Sequence, residues 1–103
     1  MSEHNRATEI SGQIGEAWSA HFHEKNDEAL SRFQQIVGSA PENIDAQYGL
    51  GLCLRTAGRG AEATEAYNKA KTLVKEEIAK EPEDTTHLQM ISRMLDQQIS
   101  LVR

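Results

Sequence analysis

The feature that most constrains this chain is a repetition at a fixed offset of 34. Ala29, Phe33 and Ile36 are followed at that offset by Ala63, Tyr67 and Ala70, so that Asp27-Glu28-Ala29-Leu30 and Ala61-Glu62-Ala63-Thr64 hold equivalent places. Within each set the residues recur at the three-to-four spacing of one helical face. A unit of this length has room for a helical hairpin, and such a unit buries its apolar face only by stacking on a similar neighbour. No segment alternates with the period of two that a strand requires.

Proline and glycine punctuate the rest. Pro41 and Pro82, with Gly38, Gly58 and Gly60, divide the chain into five segments of helical length, because proline opens or ends a helix and glycine closes one. The expected helices span residues 6–24, 27–37, 42–57, 61–80 and 84–102, with Asn5, Asn26 and Asp84 as caps. Their inward faces are Ile10, Ile14, Ala17, Trp18, His21 and Phe22; then Ala29, Leu30, Phe33, Ile36 and Val37; then Tyr48, Leu50, Gly51, Cys53 and Leu54. The fourth presents Ala63, Ala66, Tyr67, Ala70, Leu73, Val74 and Ile78, and the fifth Leu88, Ile91, Leu95, Ile99 and Val102. Glu65 with Lys69 and Glu76 with Lys80 are expected four-apart ion pairs on the wet side of the fourth helix. Short connections make consecutive helices antiparallel neighbours, all in one domain over residues 1–103.

These residues resemble the tetratricopeptide repeat family, whose unit is a helix hairpin with small residues at the helix contact and an aromatic in its second helix. The match is clearest over Tyr48, Leu50-Gly51, Leu54, Gly58, Ala63, Tyr67 and Ala70. In the preceding unit Ala29, Phe33 and Pro41 fit, while the first helix fits only with a connection near Lys25 and Asn26 one residue shorter, which places Trp18 where the family has a small residue. The resemblance covers about residues 10–75 and implies an all-α fold, a short right-handed α-solenoid of two hairpins. The next proline-marked boundary is displaced: the position equivalent to Pro41 is Lys75, and Pro82 follows seven residues later. Seven residues are two helical turns, so the fourth helix overruns its repeat with the same face inward. The last segment is then a closing helix rather than a third repeat.

Composition excludes several functions. With 16 acidic and 11 basic residues the formal charge is −5, the wrong sign for a phosphate backbone. Residues 44–74 alone carry four bases against three acids, a slightly basic middle between acidic flanks. No run approaches the length of a spanning helix or a signal segment, so a cytoplasmic protein without membrane attachment is expected. The single cysteine, Cys53, sits in the apolar run Leu50-Gly51-Leu52-Cys53-Leu54 and reads as a small buried hydrophobe.

No nucleophile, base and acid constellation stands out, so no enzyme activity and no cofactor are expected. His21 and His23 are two apart and point to different sides of a helix, whereas helical metal pairs are three or four apart. Gly12 and Gly15 read as places of close helix approach or as an open groove wall, and Met90 and Met94 as core filling against the fourth helix, with an adaptable contact surface as the alternative.

The resemblance implies that a protein or peptide partner binds the groove lined by the first helix of each hairpin. The positions that match are Gly12, Gly15, Ser19, Phe22 and His23 in the first unit, and Asp45, Tyr48, Leu52, Arg55 and Thr56 in the second. Tyr48 and Arg55 are the expected anchors, since these residue types most often carry interface energy. Some members clamp a C-terminal carboxylate with lysine, asparagine and arginine on these positions, which here are mostly small, apolar or acidic, so that specialised function is not expected. The alternative is a structural role, with the exposed side of the last helix forming a homodimer, weak enough to coexist with monomer.

Overall fold

The computed structural model describes residues 3–80 and 85–102. Five helices follow in order: α1 (Glu3–Phe22), α2 (Asn26–Ser39), α3 (Ile44–Thr56), α4 (Gly60–Lys80) and α5 (Thr86–Val102). Each packs on the next in sequence through α4, and α5 packs on α4, which stacks two hairpins and a further helix into a short helical solenoid. No strand occurs among the described residues, and no helix among them is long and apolar enough to cross a membrane.

The repeat is most faithful where the sequence hides it. Both hairpins turn through the same hydrogen bonds at equivalent positions. Glu24 N donates to His21 O at 3.1 Å and Lys25 N to Ala20 O at 2.9 Å; Gly58 N donates to Arg55 O at 3.0 Å and Arg59 N to Leu54 O at 2.9 Å. This is the nested pair of bonds that closes a helix around a left-handed residue. Gly58 supplies that residue with φ of +78°, and Glu24 supplies it with φ of +61°. The two connections are therefore equal in length, and the expected shortening near Lys25 does not occur. Ala17, fully buried, holds the place of Gly51, and Ala20 that of Leu54. The small residue is where the family has it, and Trp18 lies one position beyond, in line with Leu52.

Small residues set the spacing between helices. A side chain at Gly49 would overlap the ring of Phe33 on α2, and one at Gly51 would overlap the ring of Tyr67 on α4. Each ring lies against bare backbone, and both aromatics are fully buried. Gly12 and Gly15 do the opposite. Both are exposed with open space where a side chain would go, so they mark no close approach.

The core has two connected parts. One gathers Ala17, Ala20, Ala29, Phe33, Ile36, Ala46 and Cys53 between α1, α2 and α3. The other gathers Leu54, Ala63, Ala66, Tyr67, Ala70, Val74 and Leu95 between α3, α4 and α5. Burial pushes the Cys53 thiol up to about 11, as expected of a thiol in apolar surroundings.

Helix ends adjust the expected boundaries. α1 begins before Asn5 and stops at Phe22, where the left-handed turn takes over. Asn26 opens α2 as its first residue, with Lys25 in the cap position and no side-chain cap bond. α3 starts later than residue 42 because Asn43 caps it, accepting from Ala46 N at 2.9 Å, while buried Gln47 donates to Pro41 O at 2.9 Å and pins the turn between hairpins. Asp84, the expected cap of the last helix, and Pro82 lie outside the described residues. Lys80 pairs with Glu77 at 3.3 Å rather than with Glu76, and Glu65 and Lys69 instead flank a cavity over Leu50 and Leu54.

α4 has 21 residues against 14 in α2, the two-turn overrun expected from the proline displacement. The extension carries Val74 and Ile78, against which Leu95 is buried. Lys71 Nζ meets Asp96 Oδ1 at 2.6 Å across the same interface. Met90 and Met94 are not core filling: both are exposed, because α4 takes the stripe of Leu88, Ile91, Leu95 and Ile99 and leaves the methionines on another side.

Candidate functional site

Three helices share the open face of the solenoid. Ile44 and Asp45, at the start of α3, share a cavity with His87 and Leu88, at the start of α5. Near the other ends Arg55 Nη1 donates to Gln98 Oε1 at 2.5 Å. α5 therefore runs parallel to α3 and holds the place of the first helix of a further hairpin. It closes the core and walls the groove at once, two roles that the sequence pattern keeps apart.

The groove is apolar. One stretch, about 490 Å³, is lined by Trp18 of α1, by Ile44, Asp45 and Tyr48 of α3, and by His87, Leu88, Ile91 and Met94 of α5. A second, about 520 Å³, is lined by Trp18, His21, Phe22, Tyr48 and Leu52. Trp18 and Tyr48 belong to both, so the two stretches are one trough divided by their rings, whose centroids stand 6.1 Å apart.

Aromatic packing fixes this wall. Trp18 meets Phe33 edge-on at 5.1 Å and stacks on Phe22 at 5.9 Å, and Tyr48 tilts against Tyr67 at 6.2 Å. Offset and edge-on contacts of this kind contribute beyond their buried area. The Trp18 indole N–H donates to Asp45 Oδ1 at 3.3 Å, which orients both side chains across the gap between α1 and α3. Beneath them Tyr67 is fully buried, its hydroxyl has no hydrogen-bond partner among the described residues, and burial pushes its pKa up to about 12.

Of the expected groove residues, the structure brings Phe22, Asp45, Tyr48 and Leu52 together in the trough. Arg55 continues the row of Ile44 and Tyr48 toward α5 and is tied to Gln98. Thr56 turns its hydroxyl back onto Leu52 O at 3.0 Å. Ser19 and His23 lie elsewhere, in a smaller polar cleft of about 230 Å³ between α1 and α2 that also holds Glu16, Glu28 and Arg32. There His23 Nδ1 is 2.7 Å from Ser19 O, and Arg32 pairs with Glu16 at 2.8 Å. His21, by contrast, packs edge-on against Trp18 at 5.6 Å, so the two histidines face different sides of α1.

The sequence pattern does not reveal Trp18, Ile44 or the α5 wall as groove residues. It places Trp18 at the helix contact, because Glu24 gives no sign of the left-handed turn that sets the register of α1. His87 and Ile91 become visible only once α5 is known to run parallel to α3, while the sequence offers Met94 as a contact surface only as the alternative to core filling.

No curated protein matches the chain. The paired left-handed turns, the small residues at Ala17, Gly51, Ala29 and Ala63, and the aromatics Phe33 and Tyr67 recur in register from one hairpin to the next. The tetratricopeptide repeat model matches residues 14–78, from within α1 to near the end of α4, and the chain belongs to the tetratricopeptide repeat family.

Proposed function

We propose that this protein is a non-catalytic interaction module that takes a segment of another protein across the trough formed by α1, α3 and α5. Tetratricopeptide repeats generally mediate protein–protein contact. The observation that carries the reading for this chain is the placement of its exposed apolar side chains. Phe22, 74 % exposed, stands on the α1 rim, and Met94 stands on the α5 rim, with Trp18, Tyr48 and Leu52 between them. A rigid aromatic floor between two apolar rims suits side-chain anchors of a bound segment. The reading needs no cofactor and belongs with the cytoplasmic location expected from the sequence.

The test is affinity purification from cells with the full chain, comparing wild type with a Phe22→Ser, Met94→Ser double variant. Both side chains are exposed, so the melting curve should move little, while partners seen with wild type should drop at least several-fold. Partners retained in full by the double variant would place the binding surface elsewhere.

A second reading rests on Met90 and Leu101, exposed on α5 and eleven residues apart, hence on one side of it with Met94. That strip suits a weak homodimer. Sedimentation over a range of concentrations tests it, with Leu101→Glu expected to abolish any dimer.

A further inference from the structure

The two ends of the α3 face that walls the trough differ in charge. Asp45 lines the trough beside His87; Arg55 lies past the trough lining on the same face of α3, one turn beyond Leu52, and bonds Gln98 of α5. The separation of ten positions between Asp45 and Arg55 corresponds to roughly 15 Å along the helix. An acid in the first turn and a base in the last also suit the helix dipole. The dipole accounts for the kinds of charge on α3; it does not account for the direction in which Arg55 reaches.

Arg55 is held differently from the neighbouring arginines. Arg32 is paired with Glu16 and Glu28, and Arg59 with Glu62. Arg55 is half-buried, its partner is the neutral amide of Gln98, and no carboxylate among the described residues pairs with it. One bond fixes the planar fork and leaves further N–H donors of the guanidinium uncommitted. A half-buried, uncompensated guanidinium one turn past Leu52 on the trough face of α3 gains more from a carboxylate than an exposed one does, because the charge is already partly desolvated. At the opposite end the Asp45 carboxylate accepts one N–H from Trp18 and stays exposed to solvent, open to a cation.

We infer that the trough recognises a polarised amphipathic segment, its apolar side chains seated on Trp18, Tyr48 and Leu52, an acidic side chain paired with Arg55, and a basic side chain near Asp45. This rests on the groove reading above and adds the charge and direction of its ligand. Gln98 is then a positioning residue that aims Arg55.

The test is selection of a phage-displayed library of random peptides against the full chain, followed by synthesis of the enriched peptides and binding measurements at two salt concentrations. The expected peptides combine apolar anchors with an Asp or Glu at a fixed position on one side and a Lys or Arg on the other. Replacing that acid by its amide should weaken binding roughly tenfold or more to wild type and change little in Arg55→Gln. Arg55→Lys should keep the acid preference, and Arg55→Glu should select a base in its place. Gln98→Ala should narrow the difference between acid and amide peptides while Arg55 remains. Melting curves of each variant show whether α5 stays docked. Peptides that lose binding in Phe22→Ser but are indifferent to Arg55→Gln and to their own acid would overturn this inference and leave the groove reading standing. Enrichment of no groove-dependent peptide would overturn both.

Discussion

Glu24 and Gly58 occupy the same place in successive hairpins, and both backbones are left-handed there, with φ of +61° and +78°. A glycine adopts that conformation freely, whereas a side chain bearing Cβ is disfavoured by roughly 1–2 kcal/mol. Glu24→Gly is therefore expected to stabilise the protein, by less than that full amount because glycine also loosens the unfolded chain. Gly58→Ala should destabilise it by about 1 kcal/mol. Urea melts of the two variants check both signs.

How far the fold was legible follows from that pair. Ala29 with Ala63 and Phe33 with Tyr67 announce α2 and α4 because small and aromatic side chains are required where the helices touch. α1 was readable as a helix but not in its register, since a glutamate says nothing about a left-handed turn. Gly15 and Gly49 are equivalent positions of the repeat, yet only Gly49 meets a ring, that of Phe33. α3 has α2 beside it, and among the described residues no helix covers the equivalent side of α1. The trough was half legible for a similar reason: Phe22, Asp45, Tyr48 and Leu52 follow from the repeat pattern, but Trp18 depends on the hidden register of α1, and the α5 wall lies beyond the two-turn overrun of α4.

The contrast between glycines gives a second prediction. Gly49→Ala and Gly51→Ala each force a methyl group into an aromatic ring and should cost on the order of 1–3 kcal/mol. Gly12→Ala and Gly15→Ala meet open space on an exposed helix face and should gain roughly 0.5–1 kcal/mol each. Four thermal melts suffice, and equal effects at the four sites would contradict the assignment of close approach.

Alkaline pH should unfold the protein through two buried groups. Burial raises Cys53 from 9.0 to about 11 and Tyr67 from 10.0 to about 12. Both are neutral when protonated, so the folded state holds its protons to higher pH than the unfolded state. The stability they support is complete below the ordinary thiol value, falls from there as the unfolded thiol ionises, and is lost as pH rises through the folded values. Cys53→Ala should flatten the early part of that decline. Tyr67→Phe should flatten the later part and cost little at neutral pH, because the deleted hydroxyl has no partner among the described residues.

The last prediction concerns α5, which joins the solenoid through fully buried Leu95, the partly buried Leu88, Ile91 and Ile99 beside it, and the polar ties of Asp96 and Gln98. Leu95 is buried among Val74, Ile78 and their neighbours on the overrun of α4, while Lys71 bonds Asp96 and Arg55 bonds Gln98 on either side. The Lys71–Asp96 pair is partly exposed and contributes at most about 1 kcal/mol. Leu95→Ala, by contrast, leaves a cavity in a packed interface and should cost about 2–5 kcal/mol, a large fraction of the net stability of a domain this size. Two hairpins without a covering helix leave the end of their stack open, so a chain ending at Glu83 is expected to aggregate or to melt broadly with weak cooperativity. Calorimetry and light scattering on the Leu95→Ala and truncated chains decide the matter. A monomeric truncated chain with a sharp transition near the full-length midpoint would show that the core is complete without α5. The helix would then be a docking arm, and the trough, lacking its third wall, would give way to the outer strip of Met90 and Leu101 as the surface that matters.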